Sequence, residues 1–133
     1  MLCLVGVLMS KTALLFAGQG AQCVGMGRDL FETQPVAREW FERANQAVGY
    51  DLASICFHGP ESELTKTEHA QPAIYLVGWI ALQLLKQRRP DFSFQATAGL
   101  SLGEFTALAA AGVLTFEDGL RVVRQRGRLM QEA

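Results

Sequence analysis

Apolar residues run unbroken from Thr12 to Ala17 in the string TALLFA and stop at Gly18-Gln19-Gly20. A short continuous apolar run ended by glycines reads as a strand buried on both faces and then a turn, the habit of parallel sheets. The pattern then changes to a helical repeat. In Pro35 to Val48 the residues Val36, Trp40, Phe41, Ala44 and Val48 share one face, with Pro35 suited to a first turn and Gly49 to a stop. Asp51 is a candidate N-cap for a short segment to Phe57, and the polar stretch HGPESELTKTEHAQP supplies loop and capping residues.

From about Pro72 to Gln87 the chain is hydrophobic nearly all round, which predicts an interior helix ended by Arg88, Arg89 and Pro90. Its apolar core, Ala73 to Leu85, is interrupted by Gly78 and Gln83 and falls short of the roughly 20 residues of a membrane span. The string FSFQATAG reads as a second buried strand, running into a turn around Ser101 and then an alanine-rich helix. A last helix starts at Thr115, which with Asp118 forms a weaker capping box. Strand, helices, strand, helix is the order of an α/β layered fold. The last helix reaches the chain end without a stop signal, so a longer parent protein is expected.

Length and composition narrow this picture. A chain of 133 residues suits one domain, and 50% apolar with 19% charged residues is ordinary for a globular protein. A net charge of -1 favours neither nucleic acid nor an anionic membrane as partner. Three widely spaced cysteines, Cys3, Cys23 and Cys56, form neither a disulfide framework nor a zinc pattern, so a reducing, cytoplasmic setting and no metal are expected. The N-terminal MLCLVGVLMS lacks a basic segment and a cleavage site, and residues 1–10 read as an extension before a body of residues 11–133.

Three features carry candidate chemistry. The first is Gly99-Leu100-Ser101-Leu102-Gly103 between a buried strand and a helix, the context a nucleophile elbow requires. The flanking glycines give the turn room, and the amide of Leu102 at the helix start can donate to an oxyanion. A chance match in a glycine-rich chain is the bland alternative. The second feature is the loop AGQGAQCVGMG, whose glycine spacing fits neither a dinucleotide nor a Walker pattern, so no cofactor is expected. Lying after a parallel strand, its amides or Gln19 could face the serine.

The third is Arg126. At 100° per residue, Leu120, Val123, Gly127 and Met130 share one arc, Val122 and Leu129 lie on another nearby, and Arg126 falls between them. Arg121, Arg124 and Arg128 gather on the polar side. An inward guanidinium needs a partner, either a carboxylate such as Glu104 or the carboxylate of a ligand. A serine nucleophile also needs a base, and both histidines, His58 and His69, precede Ser101, where turn or structural roles suit them. The base is expected to lie elsewhere in the parent protein.

The strings LLFAGQGAQCVGMG, GYDL, HAQPAI and AGLSLGEFTALAAAGVLTFEDGLRVVRQRGRLMQEA, in that order, resemble the N-terminal part of malonyl-CoA:acyl carrier protein transacylases and, more distantly, the acyltransferase domains of fatty acid and polyketide synthases. The resemblance implies the N-terminal portion of an α/β-hydrolase-like core, without the family's small ferredoxin-like subdomain. It implies a ping-pong transfer of malonyl from coenzyme A to Ser101 and then to the phosphopantetheine thiol of acyl carrier protein in fatty acid biosynthesis. Gln19 and the Leu102 amide would form the oxyanion hole, and Arg126 would bind the substrate carboxylate. Leu100 stands where the family usually has histidine, and the family's catalytic histidine lies beyond Ala133. The 133-residue piece alone is therefore expected not to turn over and to self-associate through uncovered sheet surface. The competing readings are a serine esterase and a non-catalytic remnant that binds coenzyme A or carrier protein.

Overall fold

The computed structural model describes residues 11–133, so the expected extension over residues 1–10 lies outside the described residues. Strand β1 (Ala13–Phe16) pairs in parallel with β2 (Ala96–Gly99), in the register Ala13 to Ala96 through Phe16 to Gly99. Parallel pairing is as expected. The second strand is shorter than the predicted FSFQATAG, and just before it Gln95 N donates to the Thr12 carbonyl at 2.9 Å. Upstream, Phe92 and Phe94 pack on each other instead.

Burial on both faces is not observed. Each strand alternates between exposed and half-buried residues, and Leu15 is 80% exposed. Helix α6 covers the face that carries Phe16 and Gly99, where Gly78 of α5 also lies near the Phe16 ring, and no described element covers the other. The continuous apolar run therefore marks a strand whose second face is uncovered within these residues.

Between the strands lie α1 (Arg28–Thr33), α2 (Pro35–Val48), α3 (Leu52–His58), α4 (Glu61–Leu64) and α5 (Thr67–Arg88). Helix α2 has the expected limits, with Gly49 closing it at φ 78. The Asp51 carboxylate caps α3 by accepting from Ser54 N at 3.0 Å. The short helices α1 and α4 fall where the sequence suggests only loop, being too brief to display a period. Helix α5 begins before Pro72, which the reading from apolar pattern places at its start. Proline cannot donate to the carbonyl of Glu68, and the Tyr50 hydroxyl reaches that carbonyl at 3.5 Å.

After β2 come α6 (Leu102–Ala110) and α7 (Phe116–Glu132), the latter capped as expected by Thr115 Oγ1 accepting from Asp118 N at 3.1 Å. Helix α5 is the hub, with Tyr75, Leu76 and Ile80 fully buried against Phe41 of α2, Leu102 of α6 and Leu120 and Val123 of α7. Trp40, Trp79 and Phe116 form an aromatic seam between α2, α5 and α7, closed by Arg43, which lies 4.0 Å over Trp40 and bonds Glu117. On α7, Leu120, Val123 and Gly127 face inward as expected, whereas Val122, Leu129 and Met130 are about half exposed.

Burial pushes the Cys56 thiol from 9.0 up to about 12, with the Asp51 charge adding to the effect. Burial likewise moves the Tyr50 hydroxyl from 10.0 up to about 12, against the pull of Arg124. Each group keeps its proton in the folded chain where the unfolded chain gives it up. Stability should thus be level below pH 9 and fall as pH rises toward 12. Urea midpoints measured across that window test this, and an unchanged midpoint would contradict the burial of both groups.

Candidate active site

Strand β2 ends at Gly99 and α6 begins at Leu102, so only Leu100 and Ser101 make the turn. Ser101 has φ 53 and is the one non-glycine residue with positive φ among the described residues. Such a backbone costs about 1–3 kcal/mol and persists only where its surroundings hold it. The surroundings are glycines: a methyl on Gly99 would fall on the Gly103 backbone, and one on Gly103 on the Phe16 carbonyl. The Glu104 carboxylate accepts from Ser101 N at 3.1 Å and fixes the turn from the helix side. The Leu102 N–H, first of α6, takes no partner among the described residues, so it remains a free donor beside Ser101.

Helix α7 brings Arg126 to this turn. Its Nη2 donates to Ser101 Oγ at 2.8 Å, its Nη1 donates to Gln71 Oε1 at 2.8 Å, and its guanidinium carbon lies 5.6 Å from the Phe105 ring centroid. Among the described residues no carboxylate comes within ion-pairing distance of it. Its neighbours differ: Arg121 pairs with Asp118 and Arg128 with Glu132 on the polar side of the helix. The alternative of an Arg126–Glu104 pair is therefore not realised, because Glu104 serves the Ser101 amide.

Gln71 is a residue the sequence reading assigns no role. It is fully buried on α5, and its Nε2 donates to Met130 Sδ at 3.3 Å while its Oε1 accepts from Arg126. The available signal is an amide just before the apolar run of the helix, within the HAQPAI string. A buried amide needs partners on both ends, and Arg126 and Met130 supply them.

Gln19 is exposed in the loop after β1 and donates through Nε2 to Thr67 Oγ1 at 3.4 Å, a long bond, with none to Ser101. The loop itself touches the turn, since a methyl on Gly18 would stand 2.6 Å from the Leu100 carbonyl. Ser101, Leu102 and Arg126 are thus gathered directly. Gln19 joins them through Thr67, whose N–H donates to Gln131 of α7 at 2.9 Å. Neither histidine bonds the serine: His69 Nδ1 lies 2.9 Å from the Glu63 carbonyl, and His58 is exposed at the end of α3. Leu100 points outward, 80% exposed.

The chain is thus an α/β protein with parallel strands, in which a strained serine between strand and helix faces a guanidinium that no described carboxylate pairs. The chain belongs to the acyl transferase domain family, which it matches over residues 13–133. It is 46% identical over 127 residues to the malonyl CoA-acyl carrier protein transacylase of Bacillus subtilis strain 168, covering 94% of this chain and 39% of that relative. The crystal structure of MCAT from Streptococcus pneumoniae superposes with TM-score 0.86 at 44% identity, covering 92% of this chain and 39% of that one. A malonyl-transacylase solved in complex with its holo type II PKS acyl-carrier protein gives TM-score 0.84 at 41% identity, over 92% of this chain and 41% of that one. The chain thus spans about two fifths of the length of these relatives. Among the described residues no helix is long and apolar enough to cross a membrane.

Arg126 reaches Ser101 because α7 lies close on α5, where a methyl on Gly127 would stand 2.5 Å from the Thr67 carbonyl. Gly127→Ala should push the helices apart and cost about 1–3 kcal/mol. A denaturation midpoint equal to that of the unchanged protein would refute this.

Proposed function

We propose that this chain carries the nucleophile and the carboxylate clamp of a malonyl-CoA:acyl carrier protein transacylase of fatty acid biosynthesis. The observation that carries the reading is the Arg126 guanidinium, unpaired by any described carboxylate and 2.8 Å from Ser101 Oγ. In a malonyl group one methylene separates the thioester carbon from the carboxylate, two C–C bonds of about 1.5 Å each. A carboxylate held by Arg126 therefore leaves the thioester carbon within reach of Ser101. The names of the Bacillus and Streptococcus relatives support this substrate, and the complex with a holo carrier protein supports the acceptor.

In this reading the β2–Ser101–α6 turn is the nucleophile elbow of an α/β-hydrolase-like core. Ser101 Oγ attacks the thioester carbonyl and loses its proton to a base. The oxyanion is held by the Leu102 N–H and by Gln19 after its amide turns from Thr67. The intermediate collapses to malonyl-serine as coenzyme A leaves and its thiolate is protonated. The pantetheine thiol of the carrier then attacks the ester in the same way and frees the serine. Neither histidine bonds Ser101, so the base comes from outside these 133 residues. A polyketide setting differs only in the carrier, and the type II PKS complex favours it as the second reading. An esterase would leave Arg126 without a task. We place the protein in the cytoplasm, with no metal or cofactor, and expect the isolated chain to self-associate through the sheet face bearing Leu15.

Three experiments test this. Mass spectrometry of the parent protein after malonyl-CoA treatment should find a malonyl ester on Ser101 that Ser101→Ala abolishes, and reversible binding alone would support a non-catalytic remnant. In the parent protein, Arg126→Ala should lower kcat/KM for malonyl-CoA by about a hundredfold without lowering that for acetyl-CoA, as loss of a charge-assisted contact to the carboxylate implies. Light scattering should show oligomers of the isolated chain, and a monodisperse monomer would refute self-association.

A further inference from the structure

Arg126 is already engaged at the turn. It donates through Nη2 to Ser101 Oγ, the atom that has to attack. Its other arm is fixed, because Nη1 is held by the fully buried Gln71, itself held by Met130. The guanidinium can therefore change partners on the Nη2 side alone while Gln71 acts as its pivot.

From this geometry we propose that Ser101 and the incoming carboxylate compete for Arg126, so that the arginine latches the serine until a carboxylated acyl group arrives. This rests on the reading of Arg126 as the carboxylate clamp and adds to it a link between recognition and release of the nucleophile. While Nη2 donates to Oγ, it occupies a lone pair and the space that a carbonyl carbon would enter, about 3–3.5 Å away in a reactive pose. A hydrogen bond from guanidinium to a carboxylate is roughly twice as strong as one between neutral groups and exceeds one to a hydroxyl. Nη2 therefore transfers to the carboxylate and Oγ is freed, with only hydrogen bonds exchanged. An acyl group without a carboxylate leaves the latch in place. Selectivity then arises in the acylation step as well as in binding, since a ligand shifts such an equilibrium only by its differential affinity for the two states.

The test is a binding measurement with malonamate, whose amide replaces the thioester and does not react. Competition predicts that Ser101→Ala binds malonamate about five- to tenfold tighter than the unchanged chain by titration calorimetry, because Arg126 no longer has to leave the hydroxyl. Ser101→Gly, which suits the backbone at φ 53, should behave in the same way. Equal or weaker binding by both variants overturns the latch. If Arg126→Ala binds as well as the unchanged chain, or if neither the unchanged chain nor the serine variants bind, the clamp reading itself fails, which is a separate outcome.

Discussion

Backbone meets backbone around Ser101 with no side chain between. Gly103 lies against the Phe16 carbonyl of β1, Gly99 against Gly103 itself, and Gly18 against the Leu100 carbonyl. These contacts bring β1, β2, α6 and the loop after β1 to one point, and they hold Ser101 at a φ that its side chain alone would not choose. Everything proposed for the site follows from that convergence. The free N–H of Leu102 exists because α6 has to start immediately, and the turn has room for the serine because Gly99 and Gly103, two residues to either side, carry no side chain.

A second close contact aims the charge. Helix α7 approaches α5 at two glycines, Gly119 under the Tyr75 ring and Gly127 at the Thr67 carbonyl. The seam leaves Arg126 half buried, where a lone cation is costly unless its donors are used. Gln71 and Ser101 use two of them without neutralising the charge. Among the described residues Arg126 thus has only neutral hydrogen-bond partners.

The sequence made some of this legible and hid the rest for physical reasons. Caps are local, so Asp51 and Thr115 could be identified from a few residues, and the amphipathic period of Pro35 to Val48 fixed that helix at both ends. The inward direction of Arg126 came from the same period. Short helices such as α1 and α4 offer too few residues to show one. Burial of a strand depends on what packs over it, so an apolar run could not tell that Leu15 faces outward. Gln71 was hidden because its partners lie far along the chain, on α7, and the bond of Gln19 to Thr67 depends on where a loop settles beside α5.

The pairing of β1 with β2 also bears on how the chain comes to be folded. Thr12 and Gln95, which zip the sheet at its start, are 83 residues apart. Closing so long a loop carries an entropic penalty before any contact rewards it, and non-local strand pairing is slow for that reason. The helices between them form from nearer contacts, and packing them shortens the span to be closed. The turn at Ser101 is fixed only where β1, β2 and α6 meet, so a formed site depends on that long-range pairing.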